Sequence, residues 1–528
     1  MNTFRPSAKE WRWVLGWSLV ALFLANLPYL LGWLLSTPQS RFGGFYFLVM
    51  DGHSYLAKMR HGALDGWQFT LPYSHESHAG SFGILFLYSL LGKGVYLITG
   101  SVHVGELLAA YHGARVVAGL VLLLVLYRFI AHFAEGTLRR LAFLLAVFSL
   151  GLGWLLGFMG WFEVGNVPLE FWAPDAFLFS ILTGPPHTIL AVPLLLASIL
   201  TMLRAWRTRR WGPALGAATL TSALTLVRPT HVLIFGVVMT TAWAVDAWRR
   251  QSGPWFRAGQ LVPALVLPLP GILHQYYSLY YEPVLRQWTA QNPFHSPPPW
   301  HYLAGFGLLL VPALRGLRRW AWWHKDDRWF LLLWLALVPL LAYAPFQAQR
   351  RLIGGAQVPL AVAAARGLWC EKKGRNWLAW VWLVLTLPGT LFSILGGTMM
   401  VASRPPSLFH PSDELAILNW LSEHTTTDDV VLGAMESGNL IPAYANARVL
   451  LGHPIETIQI AQKEEAVRAF FDAAMSDEVR REILHRYRVT LIVYGPWEGA
   501  LGGFDPAQMP GLRLVYVAGR YQLFRVER

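Results

Sequence analysis

Cysteine is all but missing: the chain of 528 residues has one, Cys370. That excludes an intramolecular disulfide and any metal site built on several thiolates. Charge is scarce as well, with Asp, Glu, Lys and Arg at 14% against 55% hydrophobic residues, too little to cover several soluble cores. No P-loop, paired Cys-x-x-Cys, His-Glu-x-x-His or nucleophile elbow occurs, so the reactions those motifs carry are set aside. Internal repeats and low-complexity segments are absent too.

What fills the chain instead is long apolar sequence. Runs near the roughly 20 residues needed to cross a bilayer recur through the first 400 positions. We expect eleven spans, at 12–35, 105–130, 141–160, 185–203, 212–227, 231–248, 259–280, 301–316, 329–345, 352–367 and 377–399. The first follows a basic start (Arg5, Lys9), is longer than a signal-peptide core and lacks a convincing cleavage site, so it reads as a retained span. Tryptophans gather at run ends, as at Trp11, Trp13, Trp320, Trp322 and Trp323, where an amphipathic indole suits the headgroup level.

The formal charge of +13 does not point to nucleic acid, because of where it lies. From Val401 onward there are 12 basic and 16 acidic side chains, so the excess belongs to the membrane region. There it falls in alternate short loops. These carry Arg139 and Arg140; Arg204, Arg207, Arg209 and Arg210; Arg249, Arg250 and Arg257; Arg315, Arg318, Arg319, Lys325 and Arg328; and Lys372, Lys373 and Arg375. Basic loops face the cytoplasm. The apolar segment Phe82–Thr99 would reverse that parity if it crossed, so it is expected to be a juxtamembrane or re-entrant helix. Residues 1–400 then form a membrane domain with a long first outer loop at 36–104, and residues 401–528 an outer-face, periplasmic domain.

That last domain reads as α/β. Ser412-Asp413-Glu414 and Ser476-Asp477-Glu478 start helices through His424 and Tyr487. Val430–Leu432 and Thr490–Tyr494 read as buried strands, and Leu512–Val526 as a hairpin turning at Gly519-Arg520.

Candidate chemistry gathers at the outer membrane edge. Asp51 follows an apolar stretch and opens an amphipathic helix containing His53, Tyr55 and Lys58. A carboxylate placed there suits a general base, or a helix-terminal acid stabilised by the dipole. His75-Glu76-Ser77-His78 matches no standard metal spacing, so Glu76 and His78 read as substrate contacts or loop polarity, with a divalent metal as the lesser reading. Asp175, His187 and Arg228 are ionisable groups beside apolar runs, which makes them functional candidates. Arg350-Arg351 runs against the cytoplasmic bias of the other arginine clusters, and suits either a phosphate or a lipid headgroup. Gly452-His453-Pro454-Ile455-Glu456-Thr457 is either a polar turn or a segment closing over the membrane site.

Together the first span, the long outer loop opening with Asp51-Gly52-His53-Ser54-Tyr55, the juxtamembrane helices and the outer C-terminal domain resemble the GT-C superfamily of membrane glycosyltransferases. That superfamily includes protein mannosyltransferases and lipid A aminoarabinose transferases. The resemblance implies inverting transfer of a sugar from a polyprenyl-phosphate donor to a glycan, lipid or protein acceptor at the outer face of the cell membrane. It makes Asp51 the base and assigns the donor phosphate to Arg350, Arg351 and Arg228. His53, Tyr55, Lys58, Glu76, His78, Asp175 and His187 become donor or acceptor contacts. We expect no cofactor, because the sequence departs from one common pattern of that superfamily: two adjacent acids stand there in the first loop, whereas here Gly52 follows Asp51, which counts against a bound catalytic metal. The alternatives are a transporter or flippase of an anionic or lipid-linked substrate, and a non-catalytic assembly protein.

Overall fold

The computed structural model describes residues 6–160, 167–172, 174–250, 254–323, 327–369 and 376–527. Arg5, Lys325, Cys370, Lys372, Lys373 and Arg375 lie outside them. The fold is polytopic and helical, with an α/β region at the C-terminal end. Seven helices among the described residues are long and apolar enough to cross a membrane: Ala8–Leu35, Val104–Phe133, Gly136–Phe158, Pro186–Thr208, Pro229–Arg249, Pro254–Tyr281 and Trp377–Ala402. Each answers one of the eleven expected spans. The other four expected spans form shorter pieces.

Trp211–Val227 has 17 residues and Trp329–Ala342 has 14, the latter with Pro339 inside it. The segment expected at 301–316 breaks into helices Pro299–Phe306 and Leu310–Leu317 around a 3-10 turn. The segment expected at 352–367 is helical over Gln357–Leu368 after a second 3-10 turn, Gln349–Ile353. Leu310–Leu317 and Gln357–Leu368 touch backbone to backbone. A Cβ on Gly367 would sit 1.8 Å from the Pro312 carbonyl oxygen, so the contact requires glycine.

The chain divides into two compact units. The first comprises Met1–Pro28, Gly113–Leu273 and Pro293–Met399. Its hydrophobic core includes Leu126, Phe129, Phe143, Phe179, Leu195 and Val362, all fully buried. Trp323 is also fully buried and donates its indole N–H to the Gly316 carbonyl. Its position at a run end marks helix packing there, since the indole's polar edge is satisfied by protein.

The second unit comprises Tyr29–His112, His274–Asn292 and Met400–Arg528. It contains helix α1 (Val49–Leu64) and helix α2 (Phe86–Thr99). At about 1.5 Å per residue, α2 is near 21 Å long, short of the roughly 30 Å hydrocarbon core. It lies against α1, where a Cβ on Gly92 would come within 1.8 Å of the Met59 carbonyl oxygen.

The rest of this unit is built on five strands: β1 (Val430–Leu432), β2 (Arg448–Val449), β3 (Leu491–Tyr494), β4 (Leu512–Ala518) and β5 (Tyr521–Val526). Their order is β2-β1-β3-β5-β4. β1 runs parallel to β2 and β3, while β5 is antiparallel to β3 and β4. Both expected helices are present, as Ser412–His424 and Asp477–Arg486. Ser412 is the first helical residue rather than the cap, a position taken by Pro411.

Candidate active site

Asp51 occupies the first turn of α1, which begins after Leu48 in a left-handed conformation (φ 50°). A carboxylate in a first helical turn is favoured by the unpaired N–H groups there. The next two turns bring His53, Ser54 and Lys58 inward, all buried. A buried ammonium needs a partner, and Lys58 finds Glu456: its Nζ donates to both carboxylate oxygens, at 2.7 and 2.8 Å. Ser54 Oγ donates to Glu456 Oε1 at 2.5 Å. Burial works against ionisation of Glu456, but Lys58 and the hydrogen bonds outweigh it and hold the carboxyl below the usual range.

The turn that supplies Glu456 is fixed on several sides. Thr457 Oγ accepts from the His453 N–H at 3.1 Å and donates to the Tyr73 carbonyl at 3.0 Å. Asn292 Nδ2 donates to the Ile455 carbonyl at 2.6 Å. His453 Nε2 lies 3.8 Å from Asp51 Oδ1; the His453 side chain is 1% exposed, that of Asp51 30%. Within this arrangement Asp51 is the carboxylate that solvent or substrate can reach.

Other expected contacts are occupied by the protein itself. His53 bonds through Nδ1 to Asn439 Oδ1 at 2.7 Å. Burial first, and then His410, push its pKa down to about 3. Tyr55 stacks on Tyr88, with centroids 4.4 Å apart. Glu76 accepts from Lys463 Nζ at 2.9 Å on both oxygens. His78 accepts the Leu71 N–H at Nε2 (3.0 Å), and its Nδ1 is 3.1 Å from the Glu76 carbonyl. Among the described residues, no three His, Cys, Asp or Glu side chains are grouped to hold a metal ion.

In the first unit Asp175, Thr188, Arg228, Arg350 and Arg351 come together. Arg228, at the C-terminal end of Trp211–Val227, donates to Asp175 and, at 2.7 Å, to Thr188 Oγ. Burial alone would raise the Asp175 pKa, but Arg228, Arg351 and Arg350 together hold it below the usual range. Arg350 lies 4.4 Å over the Trp172 ring and Arg351 3.6 Å over Phe294. Among the described residues, three guanidiniums thus lie around the Asp175 carboxylate. His187 adjoins the group, its Nε2 3.3 Å from Thr188 Oγ.

The sequence named Glu456 and His453 only within a polar turn, and Asn439 not at all. The available signal was the polar face of α1: Ser54 and Lys58, four positions apart, need a buried partner in so apolar a chain.

Long apolar helices, a helix opening with an acid inside the first long loop and a C-terminal α/β region give this chain a fold that it shares with two solved structures. ArnT from Cupriavidus metallidurans bound to undecaprenyl phosphate is similar over 98% of both chains, with 12% identity and a TM-score of 0.51. The Archaeoglobus fulgidus oligosaccharyltransferase, tethered with an acceptor peptide containing the NVT sequon, is similar over 92% of this chain and 69% of its own. Its identity is 14% and its TM-score 0.52. No protein-family model matches the chain, and no curated protein matches it.

Proposed function

We propose that this protein is a glycosyltransferase that moves a sugar from a polyprenyl-phosphate carrier to an acceptor at the outer face of the membrane. The observation that carries this reading is Asp51: the part-exposed carboxylate at the start of α1 in a GT-C fold, beside a Glu456 already committed to Lys58. The acceptor hydroxyl oxygen attacks the anomeric carbon from the face opposite the phosphate. The carbon–oxygen bond to phosphate breaks with its electron pair on the phosphate, and the configuration inverts. The hydroxyl proton passes to Asp51, which must lie within hydrogen-bond reach of it. For the departing lipid phosphate we propose Arg350, Arg351 and Arg228 of the first unit, since cations stabilise such developing charge most strongly where water is scarce. A lipid carrier suits the fold, since ArnT is known in a structure with undecaprenyl phosphate bound.

Purified protein incubated with undecaprenyl-phosphate-linked mannose, glucose and aminoarabinose should release undecaprenyl phosphate from one of them in the presence of a suitable acceptor. Asp51→Asn keeps the size of the side chain but cannot take the proton, so turnover should fall by about 10²–10⁴ with normal folding and lipid binding. Asp51→Glu should keep a little activity, its carboxylate displaced by one methylene. Near wild-type turnover by Asp51→Asn would make Asp51 a helix-terminal acid and withdraw this mechanism.

A further inference from the structure

We propose that His453 is a positioning residue for Asp51, acting as a neutral imidazole whose single proton is fixed on Nε2. This rests on Asp51 being the base. The tautomer follows from the turn. His453 Nδ1 faces two backbone donors, the N–H of Ile455 at 3.1 Å and that of Glu456 at 3.3 Å. A nitrogen accepting from N–H groups presents its lone pair, so the ring proton sits on the other nitrogen. Nε2 is buried, has no hydrogen-bond partner, and is 3.8 Å from Asp51 Oδ1. A buried N–H without a partner is costly, and the carboxylate is the acceptor nearest to relieving it.

The ring is held at Nδ1 by those two N–H groups. The His453 N–H is held by Thr457 Oγ, and the imidazole packs on Tyr73 at 5.4 Å between centroids. The Asp51 side chain, by contrast, is 30% exposed. A small rotation closes the gap and brings one carboxylate oxygen onto Nε2–H, leaving the other to meet the acceptor hydroxyl. The proton of the reaction passes to that outer oxygen, and His453 keeps its own throughout. The charged and titratable groups around the pair are Lys58 and His53 on α1, Tyr73, Glu456 in the same turn, and His410 beyond His53. Burial is the largest influence on His453 and keeps it neutral, against the pull of Glu456 and Asp51 toward the charged form.

Two substitutions separate positioning from folding. Asparagine places a carbonyl oxygen near Nδ1, so His453→Asn keeps the acceptor of the turn and loses the donor toward Asp51. Glutamine places an amide N–H near Nε2, so His453→Gln keeps the donor and loses the turn acceptor. With the undecaprenyl-phosphate sugar the wild type cleaves, His453→Asn should lower kcat about tenfold or more at unchanged KM for the lipid. The acid limb of its kcat/KM profile should move to higher pH, because a carboxylate that loses a donor is protonated more easily. His453→Gln should retain more activity than His453→Asn. Wild-type kcat and acid limb in His453→Asn overturn the proposal, whereas an active Asp51→Asn overturns the base itself. A second measurement survives misfolding of either His453 variant. In histidine-¹⁵N-labelled protein, Asp51→Asn should shift the signal of one neutral imidazole protonated on Nε2. An absent Asp51-sensitive histidine, or one protonated on Nδ1, also refutes it.

Discussion

Lys58 Nζ reaches both oxygens of Glu456, a residue 398 positions along the chain, at 2.7 and 2.8 Å, with each side chain under a tenth exposed. Breaking a buried pair by removing one partner typically costs about 3–5 kcal/mol, because the other charge is left without compensation. Glu456→Gln should therefore lower the thermal midpoint of the detergent-solubilised protein sharply, and Lys58→Met together with Glu456→Met should recover much of the loss. The pH dependence follows from the direction of the Glu456 shift. Its folded pKa is depressed, so its contribution is fully present above the unfolded value of about 4.3 and is lost as pH falls through the folded pKa. Across that acid window wild type should lose more stability than Glu456→Gln, which lacks this one carboxylate.

Glu76 is tied to Lys463 on both oxygens, and Lys463 also donates to Ser74 Oγ at 2.8 Å. We expect Glu76→Gln to destabilise the protein by about 1–3 kcal/mol through loss of charge-assisted hydrogen bonds. Turnover per folded molecule should change only a few-fold. A fall in kcat as large as that of Asp51→Asn, with the melting midpoint unchanged, would move Glu76 from clamp to catalysis.

Local chemistry was legible wherever one segment decided its own structure. Val430–Leu432 and the hairpin at Gly519-Arg520 stand where alternation and turn residues put them. The demotion of Phe82–Thr99 rested on charge parity, and the segment is a 14-residue helix over Phe86–Thr99. Segment 301–316 was apolar enough to read as one helix, yet Gly307 (φ 39°) and the 3-10 turn that it opens divide it. Hydropathy does not register such breaks. Pairings were the least legible. Nothing near Lys58 in sequence announces Glu456, and nothing near Asp175 announces Arg228, because each pairing is made by tertiary packing.

Alternating basic loops make a topological prediction. Reporter fusions after Trp211, Arg257 and Arg328 should give cytoplasmic signals, and one after Met400 an outer-face signal. A cytoplasmic readout at Met400 would put an odd number of changes into the span count and place the α/β region on the inner side.

Arg228, Arg350 and Arg351 all act on the Asp175 carboxylate. Arg228 donates to Asp175 and Thr188, and it is Arg350 and Arg351 that we propose for the phosphate. Both lie over Phe294, which holds the planar groups in place without neutralising them. Arg350→Ala or Arg351→Ala should raise KM for the undecaprenyl-phosphate sugar about tenfold or more, the usual scale for a charge-assisted hydrogen bond. Lysine should rescue only partly, because it lacks the planar two-pronged donor and stacks poorly. Asp175→Asn tests the balance from the other side. It removes the one counter-charge, so the apoprotein should melt earlier, by the equivalent of about 3–5 kcal/mol. Added undecaprenyl phosphate should then raise the melting midpoint of Asp175→Asn more than that of wild type, since the lipid phosphate supplies the missing negative charge. Equal shifts in the two proteins, with unchanged KM in both alanine variants, would take the donor phosphate away from this cluster.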